Sequence, residues 1–553
     1  MTDRPTVPPP AWRIVAADGA RDIVEDQNGA PSPTRWVWAD TGVSYPAMLA
    51  AGERVARAWD VRLARRILRH TPLSPSDVPW SASDRWDLAP ATPDGGETLF
   101  AFDEVPAFGV DEVEGEWRAQ QDVIAASDDP GRLMLLITAE SAGALVAAEM
   151  HAAGLPWHRA THERILVAAL GRRPLGGGAP DRMRVVGERV RAALGDPSLS
   201  LDSPPRVLRA LHRAGLTVAS TSKWELAHVE HAVVEPLLEY KKLARLYTAN
   251  GWAWLDEWIR TDRFRPVYVP AGVVTGRWAS SGGGALQIPR QLRPAVRPDP
   301  GWVIVDADVA QLEPRVLAAM SRDTRMAEAA RGRDLYEGIV ATGAVATREE
   351  AKYAVLGAMY GATTGDSGRL VPRLRQTFPT AMALVDDAAV AGEDGRGVAT
   401  WLGRGTPVAE PPWLALQSRA SEADAEPGLR EAALRAARER GRFTRNFIVQ
   451  GTAAEWALCW LAEIRRRLDA LPAASGPPAS ASGRAFATRA HLVFFLHDEV
   501  MVHAPEELAD ATAQAVADAA AAAGRLLFGT FPIDFPLDVE IIRREPGDAA
   551  GPR

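Results

Sequence analysis

Two aspartates, Asp308 and Asp498, stand about 190 residues apart, each at the end of a short apolar run. The first closes Trp302-Val-Ile-Val-Asp-Ala-Asp308. The second closes Leu492-Val-Phe-Phe-Leu-His497-Asp498, with Glu499 next to it. Runs of four to six apolar residues predict buried strands. The chain must therefore fold so that distant strands carry acids at their ends. Two carboxylates held this way can share a pair of divalent cations, which clamp the attacking and leaving oxygens of an in-line phosphoryl displacement. A single Asp after a strand is as often a turn or a helix cap; the pair is what makes the chemical reading the stronger one.

At 553 residues the chain exceeds what one core can hold, so several domains are expected. The opening Met-Thr-Asp-Arg-Pro-Thr-Val-Pro-Pro-Pro lacks the apolar stretch of a secretory signal, and no uninterrupted apolar segment approaches ~18 residues. One cysteine, Cys459, leaves no internal disulfide and no Cys-rich zinc site. These features predict a soluble protein of the cytoplasm. A net charge of −8 argues mildly against nucleic acid as a partner, though a large enzyme can keep a positive groove inside acidic outer faces. Of 63 basic residues only four are lysines: Lys223, Lys241, Lys242 and Lys352. In so arginine-rich a chain, a retained lysine is worth inspecting.

Residues 1 to about 130 carry short strand-like runs, Trp36-Val-Trp-Ala and Leu99-Phe-Ala-Phe, among Pro, Asp and Gly, which predicts a compact α/β unit. From 131 the pattern turns helical, beginning with Leu133 to Met150, and a long amphipathic segment runs from Trp224 to Trp258. Strands are expected near 266–274 and 302–307, helices over 312–464, a hairpin over 491–503, a helix from Glu506 to Leu527 and a closing strand after Phe535. Leu471 to Ala490, rich in Ala, Ser, Gly and Pro, reads as a flexible surface insertion, and Pro174 to Pro180 as a shorter loop.

Five segments then occur in a telling order: Thr275-Gly-Arg277, the Asp308 strand, Arg348-Glu-Glu-Ala-Lys352-Tyr-Ala-Val-Leu356-Gly-Ala-Met-Tyr360-Gly361, Arg442-Phe-Thr-Arg-Asn446-Phe-Ile-Val-Gln450, and His497-Asp498-Glu499. Together they resemble the polymerase domain of family A DNA polymerases, the DNA polymerase I type, over roughly residues 130 to 553. The resemblance implies a mixed α/β, right-hand polymerase preceded by a degenerate ribonuclease-H-like exonuclease domain. The implied boundaries are 1–130 for the exonuclease-like domain, 131–265 for the thumb, 266–322 and 440–553 for the palm, and 323–439 for the fingers. The implied reaction is extension of a primer 3′-hydroxyl on template DNA with deoxynucleoside triphosphates, in replication or repair. The implied partners are primer-template DNA and nucleotide, with no membrane, in a nucleoid-associated setting.

By the same resemblance Asp308 and Asp498 bind two Mg²⁺ ions, with Glu499 beside them. Mg²⁺ suits the work because it prefers oxygen ligands and leaves sites for substrate phosphates. Asp306, two residues earlier on the same strand face, either tunes that site or lies at the surface. Arg348, Lys352, Leu356 and Tyr360 recur every fourth residue, so they form one stripe of a helix. Such a stripe is common on any amphipathic helix. Lys352, a compact ammonium that can contact phosphate and donate a proton to departing pyrophosphate, tilts the reading towards nucleotide binding. Glu313 matches the acid that crowds a ribose 2′-hydroxyl, or it forms an ordinary salt bridge with Arg315. Gln311 matches a residue near the minor groove and the nucleotide. Arg277, Arg442, Asn446, Gln450 and His497 match residues that line the minor groove, where every base pair offers acceptors. Lys241 and Lys242 match thumb positions that contact phosphates; a solvated helix face explains them nearly as well.

Three departures bear on selectivity. Leu356 stands where the family has Phe or Tyr against the sugar, Val355 replaces Asn, and Asp334-Leu-Tyr336 replaces Asp-Ile-His, so Tyr336 takes the place of a phosphate-facing histidine. In the N-terminal region Asp40 resembles the second exonuclease acid, and Val55 to Ala64, with Asp60, the strand and helix after it. An Asp-x-Glu between Trp12 and Trp36 is missing, no Tyr falls between Tyr45 and Tyr240, and Asp103-Glu104 comes in the wrong order. Cap or turn is the favoured reading of Asp40 and Asp60, and a structural remnant that of the domain. The alternatives are a live 3′–5′ exonuclease with other ligands, or a primer-template binding protein without turnover.

Overall fold

The computed structural model describes residues 12–23, 35–75, 84–87, 107–226, 229–284, 288–361 and 365–544. The expected strand at Leu99-Phe-Ala-Phe and the Asp103-Glu104 pair lie outside them. The described chain divides into two units, one of residues 1–154, 267–282 and 298–553, the other of 155–266 and 283–297.

The first unit holds two sheets. The N-terminal sheet has the order β2-β1-β3-β4, with β1 (Trp12–Ala16) antiparallel to β2 (Gly19–Ile23) and parallel to β3 (Arg35–Trp38), which is parallel to β4 (Ala58–Asp60). Its core is built of Trp12, Ile14, Val37, Trp59 and Trp117, packed on the long helix α1 (Pro130–Ala153). By length and mean composition α1 is apolar enough to cross a membrane, and 72% of that window is buried within the fold. It escapes a search for uninterrupted apolar runs because Glu140 and Glu149 interrupt it. Both are buried and paired, Glu140 with Arg404 and Glu149 with Arg54 and Arg465. The helix lies in the first unit, where its apolar and paired faces are covered.

The second sheet has β5 (Trp302–Val309) at its centre, antiparallel both to β7 (Glu499–Pro505) and to β8 (Leu537–Ile542), while β6 (His491–Leu496) pairs with β7. Asp306 is 7% exposed, which corrects the surface alternative for that residue. The sheet is covered by the 43-residue helix α5 (Pro427–Asp469) and the helix Ala509–Phe528. Close approach explains several small residues: a Cβ on Gly143 would come within 2.5 Å of Leu458, and one on Gly392 within 2.1 Å of Thr444. The 471–490 segment is not a loose insertion. Phe486 and Ala479 are buried, Trp302 donates its Nε1–H to the Pro477 carbonyl (2.8 Å), and the Ala474 and Ala479 amides bond to Thr488 and Ala487. Composition suggested a linker, but these anchors fix the backbone. Near 266–274 only Val267–Val269 forms a strand, paired with Ala279–Gly282.

The second unit is helical, with a small sheet of Leu155–Pro156, Arg263–Phe264 and Ile259–Arg260. The expected Trp224–Trp258 segment is broken into the helices Val234–Asn250 and Trp252–Trp258. Gly251 marks the break, where a Cβ would strike the Tyr247 carbonyl at 2.2 Å. His162 is a core residue here. It takes the Trp157 indole N–H on Nδ1 (3.3 Å) and gives Nε2–H to the Asn250 carbonyl (2.9 Å), and burial pushes its pKa down to about 4.

Candidate active site

The acids converge because of strand register. Asp308 lies opposite Glu499 on β7 and opposite Asp538 on β8, and cross-strand partners share a sheet face. Asp498 sits in the two-residue turn between β6 and β7, where His497 adopts the left-handed conformation (φ 57°) and the Asp498 amide bonds to the Leu496 carbonyl (2.7 Å). A bond from the Val309 amide to the Asp498 carbonyl (2.8 Å) ties this turn to the end of β5. A left-handed non-glycine residue is uncommon and costs local strain, which the surrounding ladder holds. The Asp498 carboxyl is pushed up to about 6, first by burial and then by the charge of Asp308, with Glu313 and Glu499 adding to it. Asp538 was not expected from the sequence. A closing strand was legible, but which strand it pairs with is not encoded locally.

Among the described residues no group of three or more His, Cys, Asp or Glu side chains is arranged to hold a metal by itself. Two neighbouring carboxylates, one buried against the other's charge, still fit Mg²⁺, an ion that takes one or two protein carboxylates and fills its shell with water and substrate phosphate.

Asp498 borders a cavity of ≈ 260 Å³. Arg277, Gln311, Glu313, Tyr336, Lys352, Leu356, Tyr360 and His497, all expected site residues, line it as well. Lys352, Leu356 and Tyr360 come from α4 (Arg348–Tyr360), which follows α2 (Leu312–Ser321) and α3 (Leu335–Ala341). The helix α4 starts at Thr347, whose hydroxyl caps the Glu350 amide (3.1 Å), and ends at Gly361 in the left-handed region. Its spacing therefore puts one side chain per turn on the cavity, as the four-residue recurrence predicts.

Glu313 does not pair with Arg315. It pairs with Arg277 and accepts a hydrogen bond from the Tyr360 hydroxyl (2.6 Å), which also bonds to Gln450. Arg315 is fully buried and serves Asp534 (2.9 Å) and the carbonyls of Ala310, Ala330 and Arg333. Burial and the Glu313 charge push the Tyr360 phenol up, and burial and then the Arg277 charge push His497 down. Tyr336, raised to about 12 by burial and then by Asp334 and Glu313, occupies the cavity wall.

The other expected residues are less central. Arg348 is not a lining residue; it pairs with Asp334 (2.7 Å) and lies 5.5 Å over the Tyr336 ring. Arg442 is exposed and lines a separate cavity of ≈ 510 Å³ with Arg438 and Arg445, while Asn446 is half-buried one turn further along α5. Lys241 and Lys242 lie in the second unit, exposed on the helix Val234–Asn250, and Lys241 donates to the carbonyl and hydroxyl of Thr221. Two contacts beside these residues were not expected: Asp334 with Arg348, and Arg404 under Gly276. Arg404 packs under Gly276, where a Cβ would meet its guanidinium at 2.6 Å, next to the Arg277 that holds Glu313. Its sequence context, Gly403-Arg404-Gly405, gives no hint of this.

The N-terminal acids have other partners. Asp40 caps the helix Thr41–Ala51 (Gly42 amide, 2.7 Å) and pairs with Arg62. Asp60 caps the helix Val61–Leu68 and accepts from the amide and hydroxyl of Thr41 (2.8 Å each).

A family model described as DNA polymerase family A matches residues 199–542. The chain belongs to DNA polymerase family A. Its family A relatives include the thermostable DNA polymerase I of Thermus filiformis, 27% identical over 342 residues, covering 56% of this chain and 36% of the relative. The thermostable DNA polymerase I of Thermus aquaticus is 26% identical over 357 residues, covering 60% of this chain and 38% of the relative. The match thus spans little more than a third of each relative's length. Among solved structures, the POL domain of Pol1 from M. smegmatis, in complex with DNA primer-template and dNTP, superposes with a TM-score of 0.65. It shares 19% identity, and the match covers 96% of this chain and 91% of that one. This likeness carries the mixed α/β, right-hand polymerase fold.

Proposed function

We propose that the chain is a DNA-templated DNA polymerase that extends a primer 3′-hydroxyl with deoxynucleoside triphosphates. The observation that carries this reading is the meeting of Asp308 and Asp498 at one strand end beside the cavity that Lys352, Tyr360 and Glu313 line. Primer-template and nucleotide bound to the related POL domain support it. Asp308 and Asp498 would hold a Mg²⁺ pair, which would supply activation of the 3′-hydroxyl and neutralisation of the triphosphate.

The chain's own groups divide the remaining work. Asp308 and Asp498, ionised, hold the cation site. Lys352 offers an ammonium to the phosphates and a proton to the leaving pyrophosphate. Arg348, at the start of the same helix, serves the outer phosphates. Glu313, gripped by Arg277 and Tyr360, presents a fixed carboxylate against a ribose 2′-hydroxyl. Leu356 fills less of the sugar wall than an aromatic ring, so sugar selectivity is weaker than a Phe would give. Arg277, Gln450, Asn446 and His497 border the primer-template minor groove, with Arg442 along the same helix face. The helical second unit serves as the thumb, Lys241 and Lys242 touching backbone phosphate. The strands β5 to β8 form the palm and residues 323–439 the fingers.

The N-terminal sheet is a structural remnant of an exonuclease domain, because Asp40 and Asp60 are spent on helix caps and on Arg62. Incubation with Mg²⁺, a labelled primer-template and four dNTPs tests the proposal. Templated extension is expected, and no extension by folded protein that binds the duplex contradicts it. Without dNTPs the label should stay intact; shortening of the primer would restore the exonuclease reading.

A further inference from the structure

We propose that Asp334 is a latch for Arg348: its carboxylate parks that guanidinium while no nucleotide is bound and yields it to an incoming triphosphate. The inference rests on the reading above that Arg348 serves the triphosphate.

The geometry separates a fixed partner from a movable one. Asp334 Oδ1 accepts from the Glu337 amide (3.0 Å) and so caps α3. Oδ2 accepts from Gln311 Nε2 (3.0 Å) and from Arg348 through both Nη2 (2.7 Å) and Nε (3.2 Å). Gln311 is itself anchored, its Oε1 accepting from the Leu335 amide (3.3 Å) and from the fully buried Arg315 (3.4 Å). The acid therefore stands on a buried scaffold that does not depend on Arg348. The arginine, by contrast, is half exposed at the first residue of α4, against 20% exposure for the acid. Its planar head rests 5.5 Å from the Tyr336 ring, a face over which a guanidinium can turn without losing its contact.

The chemistry selects the competitor. Two N–H groups of a guanidinium directed at one oxygen are what a phosphate oxygen also accepts. A half-exposed pair is weak enough to be exchanged rather than to block the site. Parking lowers the fraction of molecules whose Arg348 is available, and apparent nucleotide affinity falls by that fraction. The expected size is roughly two- to fivefold. Through Gln311 the latch also reaches the residue that precedes α2, the helix that carries Glu313.

The test is steady-state primer extension over a range of dNTP concentrations at fixed free Mg²⁺, with inorganic tripolyphosphate as a competitor. Asp334→Asn keeps one oxygen to cap the Glu337 amide, and puts an uncharged amide group in place of the oxygen that Gln311 and Arg348 share. It should lower KM for dNTP by about two- to fivefold, an effect on KM rather than kcat, and lower the tripolyphosphate inhibition constant in parallel. Asp334→Ser, which also caps, should move both in the same direction. In an Arg348→Ala background Asp334→Asn should change neither. Unchanged or raised constants in both single Asp334 variants overturn the latch. Arg348→Ala alone distinguishes the two layers. If it leaves KM untouched, the phosphate role of Arg348 is what fails. If it raises KM while the Asp334 variants do not lower it, the latch alone fails.

Discussion

The two sheets of the first unit set up the same electrostatic problem and resolve it differently. At the end of β4, Asp60 is pushed up to about 7 by burial and then by the charge of Asp40; at the end of β6, Asp498 is pushed up to about 6 by burial and then by the charge of Asp308. In the N-terminal sheet local donors absorb the charge: Thr41 gives Asp60 its amide and hydroxyl, Leu63 its amide, and Arg62 takes Asp40. At the second sheet Asp498 lies in a strained turn bordering a cavity, with Lys352 across it. A pair of acids at strand ends is thus not a site in itself. In the N-terminal pair backbone and arginine donors hold both carboxylates, whereas the second pair borders a cavity.

The largest effect that sharpens this contrast is on stability. Asp60→Ala strands the Thr41 and Leu63 donors and should cost about 2 kcal/mol, read as a lower midpoint in thermal or urea unfolding. Asp498→Ala removes a carboxyl held against like charge, and in metal-free buffer it should leave the midpoint in place or raise it. Equal losses from both substitutions would erase the distinction. A second effect concerns selectivity. Leu356→Phe refills the sugar wall and should change discrimination between deoxy- and dideoxynucleotides by about tenfold, measured by competitive primer extension. No change would mean that residue 356 does not touch the sugar.

The smallest effect is in the pH dependence. Asp60 and Asp498 have folded pKa values above the ~3.9 of an unfolded Asp, so the folded chain holds more protons than the unfolded chain between about pH 4 and 7. Their contribution therefore lowers stability as pH rises through that window. Asp60→Asn should remove one share of the slope. Mg²⁺ should remove only the share of Asp498. A Mg²⁺ effect of equal size on the slope of both acids would contradict the assignment.

Much of this was legible in the sequence because it is local. The α4 stripe follows from spacing four, and the acids at the ends of β5 and β6 from short apolar runs. What was not legible depends on partners remote in sequence. Arg315 stands two residues from Glu313 but turns to Asp534, and Glu313 instead meets Arg277 and Tyr360. The long apolar run of α1 announces a buried helix but not which unit buries it. The 471–490 segment has the composition of a linker, yet Phe486 and the Trp302–Pro477 bond pin it down.

The most direct test is single-turnover primer extension with Mg²⁺ by the parent chain, Asp308→Ala and Asp498→Ala, with primer-template affinity measured on the same samples. Each substitution should slow extension by roughly 10²- to 10⁴-fold, the several kcal/mol expected when the charge-stabilising ion loses a ligand, while duplex binding persists. Extension at the parent rate by either variant would contradict a shared cation site at these two acids.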